Sequence, residues 1–269
     1  MLSALTTVAA IAIGGYILLI VALYLFQEKL VYFPTREIVA TPLSLGLTYE
    51  DVGVTTEDGV LLHGWFIPAN GSKRTVLFFH GNGGNISYRM ETIRILHSLG
   101  LNLLLFDYRG YGKSDGTPGE EGTYMDATAM WNYLIQEKGI QASDVVLMGR
   151  SLGGAIASWL AEKESPRSLI LESSFTSLAD VGAEVYRFIP VRMLSRLQYS
   201  TIERIKNIRC PVLVVHSTGD EIIPFHHGEQ LFAAAHPRKE FLRISGGHNH
   251  GFVVSEKIYV EGIRNFIMR

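Results

Sequence analysis

The chain has 269 residues, a length that suits one large domain with a short appendage. Hydrophobic residues make up 47% of it and glycines number 27, which excludes a disordered or fibrous protein. The formal net charge of −2 gives no electrostatic reason to expect a nucleic-acid partner. A single cysteine, Cys210, excludes an internal disulfide.

An uncharged apolar segment opens the chain, from Ala4 to Phe26. As a helix rising about 1.5 Å per residue it covers roughly 34 Å, enough to cross the hydrocarbon core of a bilayer. The alternatives are a cleaved signal peptide and a buried core helix. Against a signal peptide, the segment lacks a basic start and ends in bulky residues. We therefore predict a retained single-pass membrane anchor, with residues 1–28 as its domain. Lys29 and Arg36 follow the span, and under the positive-inside rule these two charges lean towards a cytoplasmic location for the rest, with the side of the membrane left open.

Residues 29–269 alternate between short apolar runs and helix-like stretches. An Asp-Gly turn at 58–59 predicts an initial antiparallel hairpin. We predict strands at 49–55, 60–67, 75–79, 101–106, 145–148, 169–171, 212–215 and 241–244, and helices at 88–99, 124–137, 152–162, 228–235 and 255–268. This alternation predicts an α/β domain with a mostly parallel central sheet and helices on both faces.

One interval is longer than a simple crossover needs, between the strand ending near Leu171 and the strand starting at Val212. Its apolar residues surround Pro190. We interpret residues 174–208 as a short helical cap over the site; a longer crossover helix is the alternative.

The candidate nucleophile is Ser151, in the sequence Gly-Arg-Ser-Leu-Gly at residues 149–153. This G-x-S-x-G pattern lies between a predicted strand and a predicted helix, as a nucleophile elbow requires. The loop FFHGNGGN, residues 78–85, follows the first central strand. In such a fold this loop and the residue after the nucleophile donate backbone N–H groups to an oxyanion hole, which points to Asn82 and Leu152. We expect His80 to be structural, and the loop matches no phosphate-binding motif.

The candidate acid is Asp220, in a turn that follows a buried strand. There its carboxylate can accept a hydrogen bond from an imidazole. We expect its neighbour Glu221 to point elsewhere, and Glu172, after the preceding strand, is the alternative acid.

The candidate base is His248, in the loop GGHNH at residues 246–250. Two glycines before it suit a sharp turn over the sheet edge, whereas His250 lies nearer the next helix. His226 and His227 could form a metal cluster with these histidines, but no carboxylate or cysteine pattern supports one. We therefore expect neither a metal nor any other cofactor.

With these residues assigned, the chain resembles the membrane-anchored α/β-hydrolase domain-containing (ABHD-type) serine hydrolases. The resemblance rests on FFHGNGGNISYRM, LLLFDYRGYGKSDG, VVLMGRSLGGA, LESSF, HSTGDEIIP and GGHNH, in family order from about residue 50 onward. It implies the α/β-hydrolase fold, Ser151 as nucleophile, Asp220 as acid and His248 as base. It also implies a structural role for the sequence DYRG at 107–110. The family usually has Asp where this chain has His250, which leaves a part for His250 open.

The function implied is cleavage of carboxylic esters or thioesters through an acyl-enzyme, as in carboxylesterases, lipases and acyl-thioesterases. The anchor and the apolar cap suggest a small-molecule or lipid-like acyl substrate. Peptidase or acyltransferase chemistry on the same triad is the alternative, and a non-catalytic membrane scaffold is a second one. The sequence does not indicate an oligomeric state.

Overall fold

The computed structural model of the protein describes residues 2–269, with side chains from residue 3. It begins with helix α1 (Leu2–Leu25), in which 23 residues, Ser3–Leu25, are long and apolar enough to cross a membrane. The most apolar part of this helix is not buried against the rest of the chain. The helix agrees with the segment predicted from the sequence.

Ten strands and ten further α-helices follow. The strands are β1 (Phe33–Pro34), β2 (Glu50–Thr55), β3 (Leu61–Ile67), β4 (Thr75–Phe79), β5 (Gly83–Gly84), β6 (Asn102–Phe106), β7 (Val145–Arg150), β8 (Ser168–Glu172), β9 (Val212–Ser217) and β10 (Lys239–Ile244). The helices are α2 (Gln27–Val31), α3 (Met90–Ser98), α4 (Glu120–Asn132), α5 (Leu152–Lys163), α6 (Leu178–Val185), α7 (Val191–Leu194), α8 (Thr201–Arg204), α9 (Phe225–Ala234), α10 (Gly251–Val254) and α11 (Glu256–Met268).

Eight of these strands form one sheet in the order β10-β9-β8-β7-β4-β6-β3-β2. Only the β2–β3 and β3–β6 pairs are antiparallel. The other pairs are parallel, so the carboxyl ends of β4, β7, β8 and β9 lie along the same edge of the sheet. This is the mostly parallel sheet with an antiparallel edge hairpin that the sequence predicted.

The central strands are buried on both faces because helices cover each side of the sheet. In β4, Leu77 and Phe79 pack into a core with α4 and α5. The alternate residues Val76 and Phe78 pack into a second core with α3 and α11. Because alternate residues of β4 face two different apolar cores, the sequence TVLFF shows no alternation of polar and apolar residues.

Several helix boundaries differ from the prediction by two residues or more. Helix α4 begins at Glu120 rather than at 124, since Glu120 and Glu121 in its first turn favour an N-terminus there. Helix α9 begins at Phe225, directly after Pro224, which is compatible only with the start of a helix. The last predicted helix is preceded by a separate short helix, α10.

Within the predicted cap, residues 174–208, three short helices (α6, α7 and α8) lie over the carboxyl edge of the sheet. Two apolar side chains of this region are exposed to an unusual degree, Phe188 at 92% and Met193 at 87%. The hydroxyl of Tyr16, on the apolar helix α1, donates a 2.6 Å hydrogen bond to the carbonyl of Phe188. The apolar tip of the cap therefore lies beside the N-terminal helix.

The sequence did not predict a second, two-stranded sheet. In it β1 pairs in parallel with β5, Phe33 facing Gly83 and Pro34 facing Gly84. The pairing joins the segment after the N-terminal helix to the loop that follows β4, where the predicted oxyanion donor Asn82 lies.

Candidate active site

Ser151 occupies the sharp turn between β7 and α5. Its backbone has φ 54° and ψ −120°, in a region that non-glycine residues rarely adopt. The turn leaves no room for side chains on either flanking glycine. A Cβ on Gly149 would lie 2.2 Å from the Gly153 carbonyl oxygen, and one on Gly153 would lie 2.1 Å from the Phe79 carbonyl oxygen. The strained turn that G-x-S-x-G predicts is therefore present, and both glycines are needed to form it.

The carboxylate of Asp220 lies against the imidazole of His248. Nδ1 of His248 is 2.8 Å from Oδ2 and 3.0 Å from Oδ1. Backbone N–H groups of Ile222 and Ile223 donate to Oδ1 at 3.0 and 2.8 Å. Burial alone would raise the pKa of Asp220, but these hydrogen bonds outweigh it and lower that pKa. Asp220 is thus an anion that orients the ring through Nδ1, and Nε2 of His248 is the nitrogen that does not contact the carboxylate.

Glu172, the alternative acid, is engaged elsewhere. Arg150 Nε donates to its Oε1 at 2.8 Å and Nη2 to its Oε2 at 3.1 Å. The hydroxyl of Tyr259 donates to Oε2 at 2.8 Å. Because these donors occupy the carboxylate, Glu172 does not pair with His248.

Glu221 and His250 flank the candidate acid and base. The Glu221 carboxylate makes no hydrogen bond to the imidazole among the described residues, but it accepts a 3.0 Å hydrogen bond from the backbone N–H of His248. The sequence gave no signal for this contact, which fixes the loop that carries the base. His250 is exposed at the start of α10, and its side chain makes no capping hydrogen bond.

The backbone N–H groups of Asn82 and Leu152 are available as an oxyanion hole. Within residues 2–269, neither donates a hydrogen bond to the protein. Asn82 is fixed by three contacts: its side chain donates to the Val31 carbonyl at 2.9 Å, and its carbonyl accepts from the Phe33 N–H and the Tyr111 hydroxyl. The loop is therefore positioned partly by the segment that follows the N-terminal helix.

His80 is fully buried beneath this loop. Its Nδ1 lies 2.7 Å from the Gly81 carbonyl oxygen, and its ring lies 4.3 Å from that of Tyr108. Burial lowers the pKa of His80 to about 3 and raises that of the neighbouring Asp107 to about 7. Without solvent access His80 cannot reach a substrate, which agrees with the structural role expected for it.

Ser151 and His248 line the same cavity, with a volume of about 350 Å³. Its other lining residues are Leu30, Val31, Gly81, Asn82, Gly83, Arg89, Arg150, Leu152, Phe175, Leu178, Val181, Ile222, Ile223 and Asn249. In the described part of the chain no hydrogen bond joins the Ser151 hydroxyl to the imidazole. Such contacts are commonly long in unliganded catalytic sites and tighten when substrate binds.

An apolar groove of about 240 Å³ adjoins this cavity, between the end of α1, helix α2 and the cap. Leu30, Val31, Leu178 and Val181 line both spaces. The groove is further lined by Leu23, Tyr24, Gln27, Gly182, Val185, Tyr186, Ile189, Val191, Leu194, Ser195 and Leu197. It leads from the cavity that Ser151 lines towards the apolar N-terminal helix.

Outside the cavity, one set of side chains has the composition of a metal site. Glu184, His226 and His227 offer ligand atoms that lie within 4.8 Å of one another. The sequence had suggested the histidine pair only together with His248 and His250, and those two lie outside this set. Glu184 comes from α6, forty-two residues before His226, so the sequence did not indicate that it joins them.

Comparison with known proteins gives the same fold. A family model described as "Serine aminopeptidase, S33" matches residues 70–201. The crystal structure of an esterase of Pyrococcus furiosus, Pf2001, superposes with a TM-score of 0.76 at 24% identity, covering 89% of this chain and 98% of that one. An α/β-hydrolase of Vibrio vulnificus gives a TM-score of 0.70 at 25% identity, covering 83% and 82%. These likenesses confirm the predicted fold.

Relatives of higher identity cover most of the chain. An uncharacterized protein of Mycobacterium tuberculosis is 40% identical over 244 residues, covering 90% of this chain and 87% of the relative. The α/β-hydrolase domain-containing protein WAV2 of Arabidopsis thaliana is 35% identical over 274 residues, covering 91% and 89%. With the fold, the elbow and these relatives in agreement, the chain belongs to the α/β-hydrolase domain-containing family.

Proposed function

We propose that the protein is a membrane-anchored serine hydrolase that cleaves carboxylic esters or thioesters of acyl substrates. The observation that carries the proposal is the placement of Ser151 on a strained elbow in the same cavity as a His248–Asp220 pair. An elbow exposes the nucleophile, and the paired imidazole can take its proton.

The reaction would proceed in two acyl-transfer steps. His248 Nε2 takes the Ser151 hydroxyl proton while Oγ attacks the acyl carbonyl carbon, and the Asn82 and Leu152 N–H groups hold the resulting oxyanion. Collapse of this intermediate breaks the ester or thioester bond, and the leaving alcohol or thiol takes the proton from His248. Water then attacks the acyl-enzyme with His248 again as base, releasing the carboxylic acid and restoring Ser151. Asp220 remains ionised and stabilises the imidazolium in both steps.

The adjoining groove supports an acyl-chain substrate. Its wall is almost wholly apolar and shares four side chains with the catalytic cavity, so a chain esterified at Ser151 could lie along it. The groove also borders the end of α1, and the exposed Phe188 and Met193 suit contact with lipid. A substrate drawn from a bilayer would reach the nucleophile by this route.

The charges of the cavity favour an ester over a peptide with a free amino terminus. Among its described lining residues none is Asp or Glu, and Arg89 adds a positive charge, whereas the charge of Arg150 is paired with Glu172. An aminopeptidase binds a substrate ammonium group, for which this lining offers no carboxylate. This observation weighs against the peptidase alternative, although the family model carries an aminopeptidase description.

The anchor would hold the hydrolase domain at the cytoplasmic face. Lys29 and Arg36 follow the end of helix α1 by four and eleven residues, and positive charges flanking a span are retained on that side. Protease treatment of sealed spheroplasts or microsomes tests the orientation: the domain is protected in the first and digested in the second.

The deciding experiment is labelling by a fluorophosphonate probe, which reacts only with an activated serine. In detergent we expect the wild type to be labelled and Ser151→Ala not to be. Ser44→Ala, which changes an exposed serine, is the matched control and should be labelled like the wild type. An unlabelled but folded wild type would support a non-catalytic scaffold. Hydrolysis of acyl esters, acyl thioesters and aminoacyl amides then ranks the substrate classes.

A further inference from the structure

Arg89 lines the catalytic cavity and forms no ion pair with any carboxylate among residues 2–269. It lies directly before helix α3, a few residues after the loop that carries Asn82. Its Nη2 donates a hydrogen bond to the carbonyl of Gly83, and its Nε is buried without a partner. Nη1 donates to no described residue and is not itself buried, so its N–H groups are accessible to a ligand.

The lack of a counter-charge distinguishes Arg89 from the buried arginines of the described chain. Arg109 and Arg150 each lie 2.8 Å from a buried carboxylate oxygen. Burial and the nearby charge of Arg150 lower the pKa of Arg89 to about 10, so Arg89 is still a cation at neutral pH. Asp107 attracts this cation without hydrogen bonding to it, and burial raises the pKa of Asp107 to about 7. An anion bound in the cavity would supply the counter-charge that the described chain lacks.

The catalytic cavity therefore has an apolar part and a cationic part. It shares four aliphatic side chains with the adjoining groove, and none of the residues that line the groove is charged. Arg89 lines the cavity but not the groove. Its hydrogen bond to Gly83 places it beside Asn82, the candidate oxyanion donor. An ester with its acyl chain in the groove and its carbonyl at the oxyanion hole would extend its alcohol portion towards Arg89.

We propose that the substrate is an acyl ester whose alcohol portion carries an anionic oxygen group, a phosphate or a carboxylate, and that Arg89 binds this group. The proposal rests on the ester hydrolysis proposed above and names the substrate class of that site. The guanidinium donates charge-assisted hydrogen bonds to the anion, for which arginine is well suited. The anion takes no part in bond cleavage, since Ser151 attacks the same carbonyl carbon and the anionic alcohol leaves with the proton from His248. Arg89 is thus a residue that determines specificity.

The test compares decanoyl esters that differ only at the far end of a propyl alcohol portion, with the full chain in a non-ionic detergent. This end is a methyl, a phosphate, a carboxylate or a trimethylammonium group. We expect kcat/KM to be about 10- to 100-fold higher for the anionic esters than for the neutral one, the range given by hydrogen bonds to a charged group. The difference should lie mainly in KM, and the cationic ester should be the poorest substrate. The ratio of the phosphate to the carboxylate ester identifies the preferred anion.

Variants of Arg89 separate binding of the anion from support of the loop. Arg89→Met removes the charge, and the preference for anionic esters should disappear; Arg89→Lys should restore part of it. Arg94→Met changes an arginine of helix α3 that is paired with Glu91 and Glu256, and as the matched control it should keep the preference. Loss of the hydrogen bond to Gly83 would slow all the esters alike, so the ratio of anionic to neutral rates reports the charge alone.

Equal kcat/KM of the wild type for neutral and anionic esters would overturn this proposal and leave the proposed hydrolase activity intact. So would an anionic preference that persists in Arg89→Met, since Arg89 would then only support the loop. If the wild type were neither labelled by the fluorophosphonate probe nor able to hydrolyse any of the esters, both proposals would fail.

Discussion

The buried ion pair beside the nucleophile offers a quantitative test of how the elbow is supported. Arg150 directly precedes Ser151 and binds Glu172 through two hydrogen bonds, with the side chains 8% and 2% exposed. The Arg150 guanidinium also lies 3.9 Å from the ring centre of Phe252. Because the Ser151 N–H donates to the Glu172 carbonyl, the pair and the elbow share one strand pairing.

We change Arg150 to Met, which retains an apolar stem and removes the charge. The Glu172 carboxylate is then buried with only Tyr259 as a donor, and breaking such a pair costs about 3–5 kcal/mol. At about 2–4 °C per kcal/mol for a domain of this size, Tm should fall by about 6–20 °C. Labelling of Ser151 should fall as well, since the strand end that carries it is no longer fixed.

The double variant Arg150→Met/Glu172→Gln separates the unpaired charge from lost packing. Glutamine is neutral and still accepts the Tyr259 hydrogen bond, so the double variant should be more stable than Arg150→Met alone. Urea unfolding of the wild type, Arg150→Met, Glu172→Gln and the double variant gives the coupling free energy. If the double variant were as unstable as Arg150→Met, burial of an unpaired carboxylate could not be the cause.

Three further predictions concern the elbow, the acid and a buried carboxyl. Gly153→Ala should abolish fluorophosphonate labelling, because the new Cβ would lie 2.1 Å from a carbonyl oxygen of β4; Gly119→Ala, with open space around it, should not. Asp220→Asn should lower kcat by about 10⁴-fold in an ester assay while leaving the fold intact, and a normal rate would contradict its role. Burial raises the pKa of Asp107 to about 7, so the folded state keeps a proton that the unfolded chain loses above its ordinary pKa of 3.8. The free energy of unfolding that this proton contributes therefore decreases as pH rises towards 7, by about 2–3 kcal/mol between pH 5 and pH 7. Urea unfolding of Asp107→Asn over the same pH range should show a smaller decrease.

The sheet and the elbow could be predicted from the sequence because each depends on residues that are close together in the chain. Continuous apolar runs specify strands buried on two faces, and G-x-S-x-G between strand and helix specifies a turn that few residues can form. The order of Ser151, Asp220 and His248 along the chain then assigns each to the end of a different strand. Since parallel strands share a carboxyl edge, the fold brings these ends together without further information.

Contacts between residues far apart in sequence could not be predicted in this way. Glu221 binds the His248 backbone, and Glu184 meets His226, across 27 and 42 residues. Any carboxylate of the right reach can make such a contact, so the residue type carries little information. Glu172 is an opposite case. Its position in the sequence is compatible with the acid of a triad, but in the fold it forms an ion pair with Arg150, next to Ser151.

The segment after helix α1 contacts both the candidate site and the cap region. Strand β1 pairs with β5 in the oxyanion loop, and Val31 accepts a hydrogen bond from Asn82. Gln27 donates to the Leu194 carbonyl and accepts from the Arg196 N–H, both in the cap region. The same short stretch thus fixes the oxyanion loop on one side and the cap on the other. A domain division at residue 28 would separate Gln27 from the cap region that it contacts, whereas these hydrogen bonds connect the end of helix α1 to the wall of the cavity.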